Sequence, residues 1–196
     1  MNKYTEQILH ESKTFEHINY AEQRLENREF INCTFIRCNF NKSNLGNNDF
    51  VDCHFKYCDF SLTILHHTGF SDVVFTECKI LGVDFTIVNK FMFSFAFNNC
   101  YLDYSLFTAS KLKNTNFINC SLKEVDFSEA DLSGSTFNNC SLLGAKFFHT
   151  ILEKADFRTA QHFAIDVETN RMKKAKFSNL SLSGLLYKYQ LDISDD

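Results

Sequence analysis

Three groups of residues in this 196-residue chain are of types that could do chemistry: eight cysteines, the pair His66-His67, and a set of carboxylates crowded into the first half. Eight thiols invite disulfides or a zinc site. Six of them, however, stand at Cys38, Cys58, Cys78, Cys100, Cys120 and Cys140, in steps of 20, 20, 22, 20 and 20 residues. A period that regular marks stacked structural units. All eight cysteines, Cys33 and Cys53 included, lie two residues before a large apolar residue, as in Cys38-Asn-Phe40. That is the register of a small buried side chain, and free cysteine packs as a small hydrophobe. Stacked coils would set same-column Cα atoms about one strand spacing apart, which disulfide geometry permits, but a reducing compartment disfavours bridges. The ladder is expected to be core.

The other candidates thin out quickly. One of His66 and His67 must point outward beside Leu65, and no carboxylate ligand set lies nearby. There is no glycine-rich phosphate loop, no His-Glu-x-x-His and no Cys-x-x-Cys. Serines and aspartates abound, but repeat position accounts for each, so no triad stands out. Neither an enzyme nor a bound metal or cofactor is expected. The carboxylates are different. Between residues 43 and 89, Asp49, Asp52, Asp59, Asp72, Glu77 and Asp84 face only Lys56 and Lys79, a net −4 that equals the charge of the whole chain.

The elements that position these groups follow from a spacing of five. Large apolar residues recur without a break at Leu25, Phe30, Phe35, Phe40, Leu45, Phe50, Phe55, Phe60, Leu65, Phe70, Phe75, Ile80 and Phe85. Five fits neither the helical period near 3.6 nor strand alternation of 2. One large and one small apolar position per pentad suits a chain that turns a corner after each short segment. Twenty residues then make a four-sided coil. The result is an all-β solenoid of about 8 coils, near 40 Å long, with hydrogen bonds running from coil to coil. The phase slips by two residues at 86–91, where Val88, Asn89 and Lys90 must bulge or kink the stack, and resumes at Met92. It then holds from Phe97 through Phe157. Residues 158–174 form a degenerate coil in which His162, Val167 and Met172 keep the phase. Leu182, Leu185, Leu186 and Tyr189 fall at helical spacing after Ser181, a candidate N-cap, so a short helix over 181–190 should lid the stack. The expected organisation is an N-terminal segment over 1–14 with a helix at 4–11, a repeat region over 15–180, and a C-terminal helix and tail over 181–196.

Bulk properties agree. Prolines are absent and glycines number six, so no flexible linker is expected. The net charge of −4 argues against direct nucleic-acid binding. No run of about 18 apolar residues suggests a membrane span. The opening MNKYTEQILHESK lacks the apolar core of a secretory signal, which makes a cytoplasmic setting the expectation.

The motif of a small residue, Asp or Asn, then Leu or Phe appears as Cys38-Asn-Phe40, Cys58-Asp-Phe60, Val83-Asp-Phe85, Thr115-Asn-Phe117, Val125-Asp-Phe127, Ala130-Asp-Leu132 and Ala155-Asp-Phe157. It resembles that of the pentapeptide repeat proteins over about residues 15–182. The resemblance implies a right-handed quadrilateral β-helix. The layout, a solenoid with one mid-length interruption and a C-terminal helix, further resembles the Qnr and Mfp group implicated in fluoroquinolone resistance. Members of that group resemble B-form DNA in size and charge, bind type II topoisomerases (gyrase or topoisomerase IV) and dimerise through the C-terminus. By that resemblance Leu185, Leu186, Tyr187 and Tyr189 would be homodimer contacts. The interruption is shorter here than the loop such proteins often carry, which speaks more for topoisomerase binding than for drug protection.

DNA mimicry needs carboxylates spaced along a rod. Asp49, Asp52, Asp72 and Asp84 should fall on two adjacent faces, with Asp126, Glu129 and Asp131 continuing them past Lys111, Lys113 and Lys146. These seven are the expected topoisomerase-facing acids. The rival reading is a protein-interaction scaffold with another partner, on which Asp and Asn serve only as good turn residues.

Overall fold

Residues 8–192 are described by the computed structural model. The chain winds as a four-sided parallel β-solenoid whose described strands are β1 (Ile8–Glu11), β2 (Thr14–Glu16), β3 (Arg28–Ile31), β4 (Thr34–Ile36), β5 (Asp49–Val51), β6 (His54–Lys56), β7 (Gly69–Thr76), β8 (Phe93–Asn98), β9 (Asn116–Ile118) and β10 (Thr136–Asn138). β1, β3, β5 and the start of β7 stack on one side; β2, β4, β6, the end of β7, β8, β9 and β10 stack on the next. The two remaining sides are tied by single bridges such as Asn39↔Asp59↔Lys79↔Tyr101 and Asp84↔Leu106↔Asp126. The sides are called here the Phe50, Phe55, Phe60 and Leu65 faces, after their central residues in one coil.

The pentad explains each corner. One residue per side takes the left-handed conformation, for example Asn47, Asp52, Tyr57, Leu62 and His67 with φ between 51° and 58°. Short polar side chains tolerate that region, which is why Asn and Asp recur there. The Asp or Asn just before each large residue has a second task. Asn39, Asp59, Asp84, Asp126 and Asp131 each accept the N–H two residues on, at 2.8–3.1 Å, and so close the turn.

Inside, the large residues form columns. Phe15, Phe35, Phe55, Phe75, Phe97, Phe117, Phe137, Phe157 and Phe177 stack with centroids 4.7–5.4 Å apart and planes within 14°. Offset aromatic stacking adds to the burial of each ring. At the small position Cys, Ser and Thr side chains bond the adjoining backbone, while Val83, Val125, Ala130 and Ala155 only fill space. Cys58 Sγ donates to the Phe35 and Lys56 carbonyls, and Thr63 Oγ1 to that of Phe40 (2.7 Å). Asn48, a larger polar residue at a small position two before Phe50, is buried; its Oδ1 accepts the Arg28 N–H at 2.8 Å.

Four expectations need correction. First, residues 8–11 form β1 rather than helix (residues 4–7 lie outside the described residues), so coiling starts ahead of Phe15. His10 takes the core position, stacked on Phe30 at 4.9 Å and 17°. An imidazole does not register as an apolar centre.

Second, at the interruption the pairing offset is 23 at Phe70↔Phe93 and 22 from Val73↔Phe95 onward. Against the regular 20, three residues are inserted and a bulge between Phe70 and Val73 takes one back. Phe95 rather than Met92 fills the core there, with its ring 5.6 Å from Phe85 and 5.1 Å from Phe97.

Third, in the degenerate coil Phe163 and Ile165 are buried, while His162 and Val167 are exposed. Ile165 N–H bonds the Gly184 carbonyl, and a Cβ on Gly184 would lie 2.4 Å from the Phe163 carbonyl oxygen. The cap therefore packs too close for any residue but glycine.

Fourth, the cap is broken into a 3-10 turn at Asn179–Ser181, a helix α1 (Ser183–Leu186) and a second 3-10 turn at Tyr187–Tyr189. Ser178, not Ser181, caps its start, accepting from the Leu180 N–H at 3.3 Å. Residues 193–196 of the tail lie outside the described residues.

Candidate interaction surfaces

The cysteine ladder is sealed. All eight thiols are at most 2% exposed. Burial pushes Cys53 up to about 12 and Cys78 well above an ordinary thiol, which keeps them protonated donors. His66 and His67 are exposed with ring centroids 4.0 Å apart. Among the described residues no three His, Cys, Asp or Glu side chains are grouped to hold a metal ion. None of the described helices is long and apolar enough to cross a membrane. What the molecule offers is surface.

The seven acids occupy two adjacent faces but divide into two kinds. Asp52, Asp72 and Glu129 are exposed corner residues in the left-handed conformation. Asp52 and Asp72 belong to successive coils of the Phe50 face, where β5 pairs with β7, and the Asp72 carboxylate accepts the Ser94 hydroxyl at 3.0 Å. Asp84, Asp126 and Asp131 are half-buried and engaged in their turns. Burial raises the Asp131 carboxyl, yet the Ser133 hydroxyl and N–H, with Lys113 at 3.1 Å, outweigh it and hold the group below its ordinary value. Asp49 is half-buried in β5. Proximity to the backbone, invisible in a charge count, decides which acids can meet a partner.

The same face changes sign along its length. Past the interruption it carries Lys111, Lys113, Lys154, Arg171, Lys173 and Lys174 against Asp131 and Glu153. Arg171 and Glu153 pair at 2.7 Å. On the Phe50 face the acids are thus concentrated before the interruption, while Asp126 and the exposed Glu129 lie past it on the adjacent Leu65 face.

At the interruption Val88 is buried, Asn89 is half-buried with its Oδ1 bound to the Phe91 N–H (3.0 Å), and Lys90 is exposed. Its most conspicuous residue is one that sequence reasoning passed over: Phe91 is 99% exposed. The signal was present, since Phe91 is the apolar residue beside Lys90 that matches neither phase.

At the C-terminal cap Leu185 packs inward against the core and Leu186 is half-buried, while Tyr187 and Tyr189 are about half exposed. Leu180, Leu182 and Leu191 of the same C-terminal segment are exposed as well. Lys188 holds the cap to the last coil through Asp166 (2.9 Å) and Glu168 (2.6 Å), and the Tyr189 hydroxyl donates to Glu168 (2.9 Å). The neighbouring carboxylates raise the Lys188 ammonium above its ordinary range, Glu168 most. A second aromatic surface, also unanticipated, holds Tyr57, Tyr101 and Tyr104 near the Phe60 face.

A family model described as a pentapeptide repeat region matches residues 28–107 and 91–187. Among solved structures, a trypsin-treated variant of QnrB1, a plasmid-mediated fluoroquinolone resistance protein, is similar with a TM-score of 0.53 at 18% identity, covering 100% of this chain and 96% of its own. A second trypsin-treated QnrB1 variant gives 0.49 at 20% identity, covering 95% of this chain and 100% of its own. HetL, a pentapeptide repeat protein involved in heterocyst differentiation regulation from the cyanobacterium Nostoc sp. Strain PCC 7120, gives 0.41 at 14% identity, with coverages of 85% and 87%. No curated protein matches the chain. At 18% identity the first of these likenesses speaks for the fold alone.

Proposed function

The chain belongs to the pentapeptide repeat family, and we propose that it is a non-enzymatic binding module whose acidic N-terminal half occupies the DNA-binding groove of a type II topoisomerase. The carrying observation is the pair of exposed corner carboxylates, Asp52 and Asp72, stacked on successive coils of the Phe50 face. A basic groove built for phosphates would attract such a column, and the attraction would fall as salt rises. Lys111 and Lys113 limit the footprint to the coils before the interruption. Phe91, beside that footprint, supplies an apolar anchor. The apolar cap surface of Leu180, Leu182, Tyr187, Tyr189 and Leu191 serves as the homodimer contact in this reading, with Leu185 supporting it from within.

The test is a gyrase supercoiling assay with the protein titrated in, with and without a fluoroquinolone, alongside direct binding at two salt concentrations. Wild type should bind gyrase, more weakly at high salt, and Asp52→Lys combined with Asp72→Lys should abolish binding. Rescue of supercoiling in the presence of drug would establish protection; inhibition alone would establish mimicry without it. Undiminished binding by the folded double variant, or none by wild type, overturns the reading. The dimer contact is checked by sedimentation of Leu182→Asp, expected to be monomeric.

A second reading, a scaffold for another protein, is favoured by the exposed tyrosines on a face that carries none of these acids.

A further inference from the structure

A cleft of about 440 Å³ opens beside the Phe60 face across three successive coils. Tyr57 and Tyr101 line it with Leu81, and its charged residues are Asp59, Glu77 and Asp103 against Lys79 alone. Lys79 is already drawn to Asp59 at 3.9 Å, and Asp103 accepts the Ser121 hydroxyl and the Lys123 N–H. Glu77 is exposed at a corner, with no ion pair or side-chain hydrogen bond among the described residues.

The tyrosines on this side show what they attract. Arg37 sits over the Tyr57 ring at 4.8 Å, and Lys123 over Tyr104 at 5.9 Å. Tyr101 is the most exposed of the three, at 60%, and no cation of the described residues covers it. An aromatic face beside an unpaired carboxylate is complementary to a guanidinium, which stacks on the ring and pairs with the carboxylate at once.

We propose that this cleft docks an arginine side chain presented by an extended segment of a protein partner, with the guanidinium on Tyr101 and paired to Glu77. The proposal concerns a different face from the acidic column and stands or falls without it.

The probe is a capped Gly-Gly-Arg-Gly-Gly peptide titrated into full-length protein carrying isotope-labelled tyrosine rings, followed by NMR. The expected result is saturable movement of the Tyr101 and Tyr57 ring signals. The matching citrulline peptide, equal in shape but uncharged, should move neither. Glu77→Gln, a surface change, should weaken binding about tenfold, and Tyr101→Leu should abolish it. Unfolding midpoints of both variants confirm that they fold. Equal response to the citrulline peptide, undiminished binding by either folded variant, or ring signals that never move would overturn the proposal.

Discussion

The rings of Phe75 and Phe97 stack at 5.3 Å and 14°, although 22 residues separate them where 20 separate every other pair in that column. The insertion is therefore absorbed outside the column, and the stack runs on across it. Phe97 is fully buried and Phe91 is 99% exposed. Phe97→Ala should cost about 3–5 kcal/mol by opening a cavity between stacked rings. Phe91→Ser should change stability by less than about 0.5 kcal/mol. Urea unfolding of the two variants checks this; equal losses would mean that the insertion is itself part of the core.

How much of this was legible depended on whether neighbours repeat. The five-residue phase names Phe30, Phe50 and Phe70 as a column because each meets a copy of itself one coil away. Where the copies differ, the pattern is blind. His10 fills a phenylalanine position, and Phe95 displaces Met92, because both outcomes depend on register between coils rather than on residue type. Charge was legible, but a charge count ignores pentad position: Asp131, just before Leu132, closes a turn, whereas Asp52, two after Phe50, faces solvent. The tyrosine cleft is assembled from residues some 20 apart whose spacing matches the repeat and so carries no signal of its own.

Leu62 holds a corner at φ 57° while half exposed. A γ-branched side chain in the left-handed region is strained by about 1–2 kcal/mol, whereas asparagine relieves part of that locally. The next coil places Gly82 at the same corner, with φ 62°. Leu62→Asn should therefore raise stability by about 0.5–1 kcal/mol, since little apolar burial is lost. A lower urea midpoint for the variant would show that Leu62 packs rather than strains.

The cysteines should be chemically silent in the folded state. A thiol reacts as its thiolate and only when reached, and these eight are sealed. A chromogenic disulfide reagent should titrate none of the eight in native protein and all eight in denaturant. Rapid reaction of even one native thiol would mean that the ladder opens locally.

Asp156 ties the last regular coils together. Its carboxylate takes the Arg158 guanidinium at 2.7 Å and lies 3.7 Å from Lys176, with only 12% of its side chain exposed. The Arg158 hydrogen bond holds its pKa below the ordinary carboxylate value. The unfolded chain then binds more protons than the folded one as pH falls, so this contribution is complete above about pH 4 and disappears as pH drops through the depressed value. Asp156→Asn keeps the turn-closing oxygen, removes the charge and replaces the oxygen that accepts from Arg158 Nη2 with an amide donor. At pH 7 the variant should be less stable by about 1 kcal/mol, discounted for the exposed partners. At pH 2 the two proteins should unfold at the same urea concentration. A gap that persists unchanged at pH 2 would place the effect in packing or turn geometry and not in the ion pair.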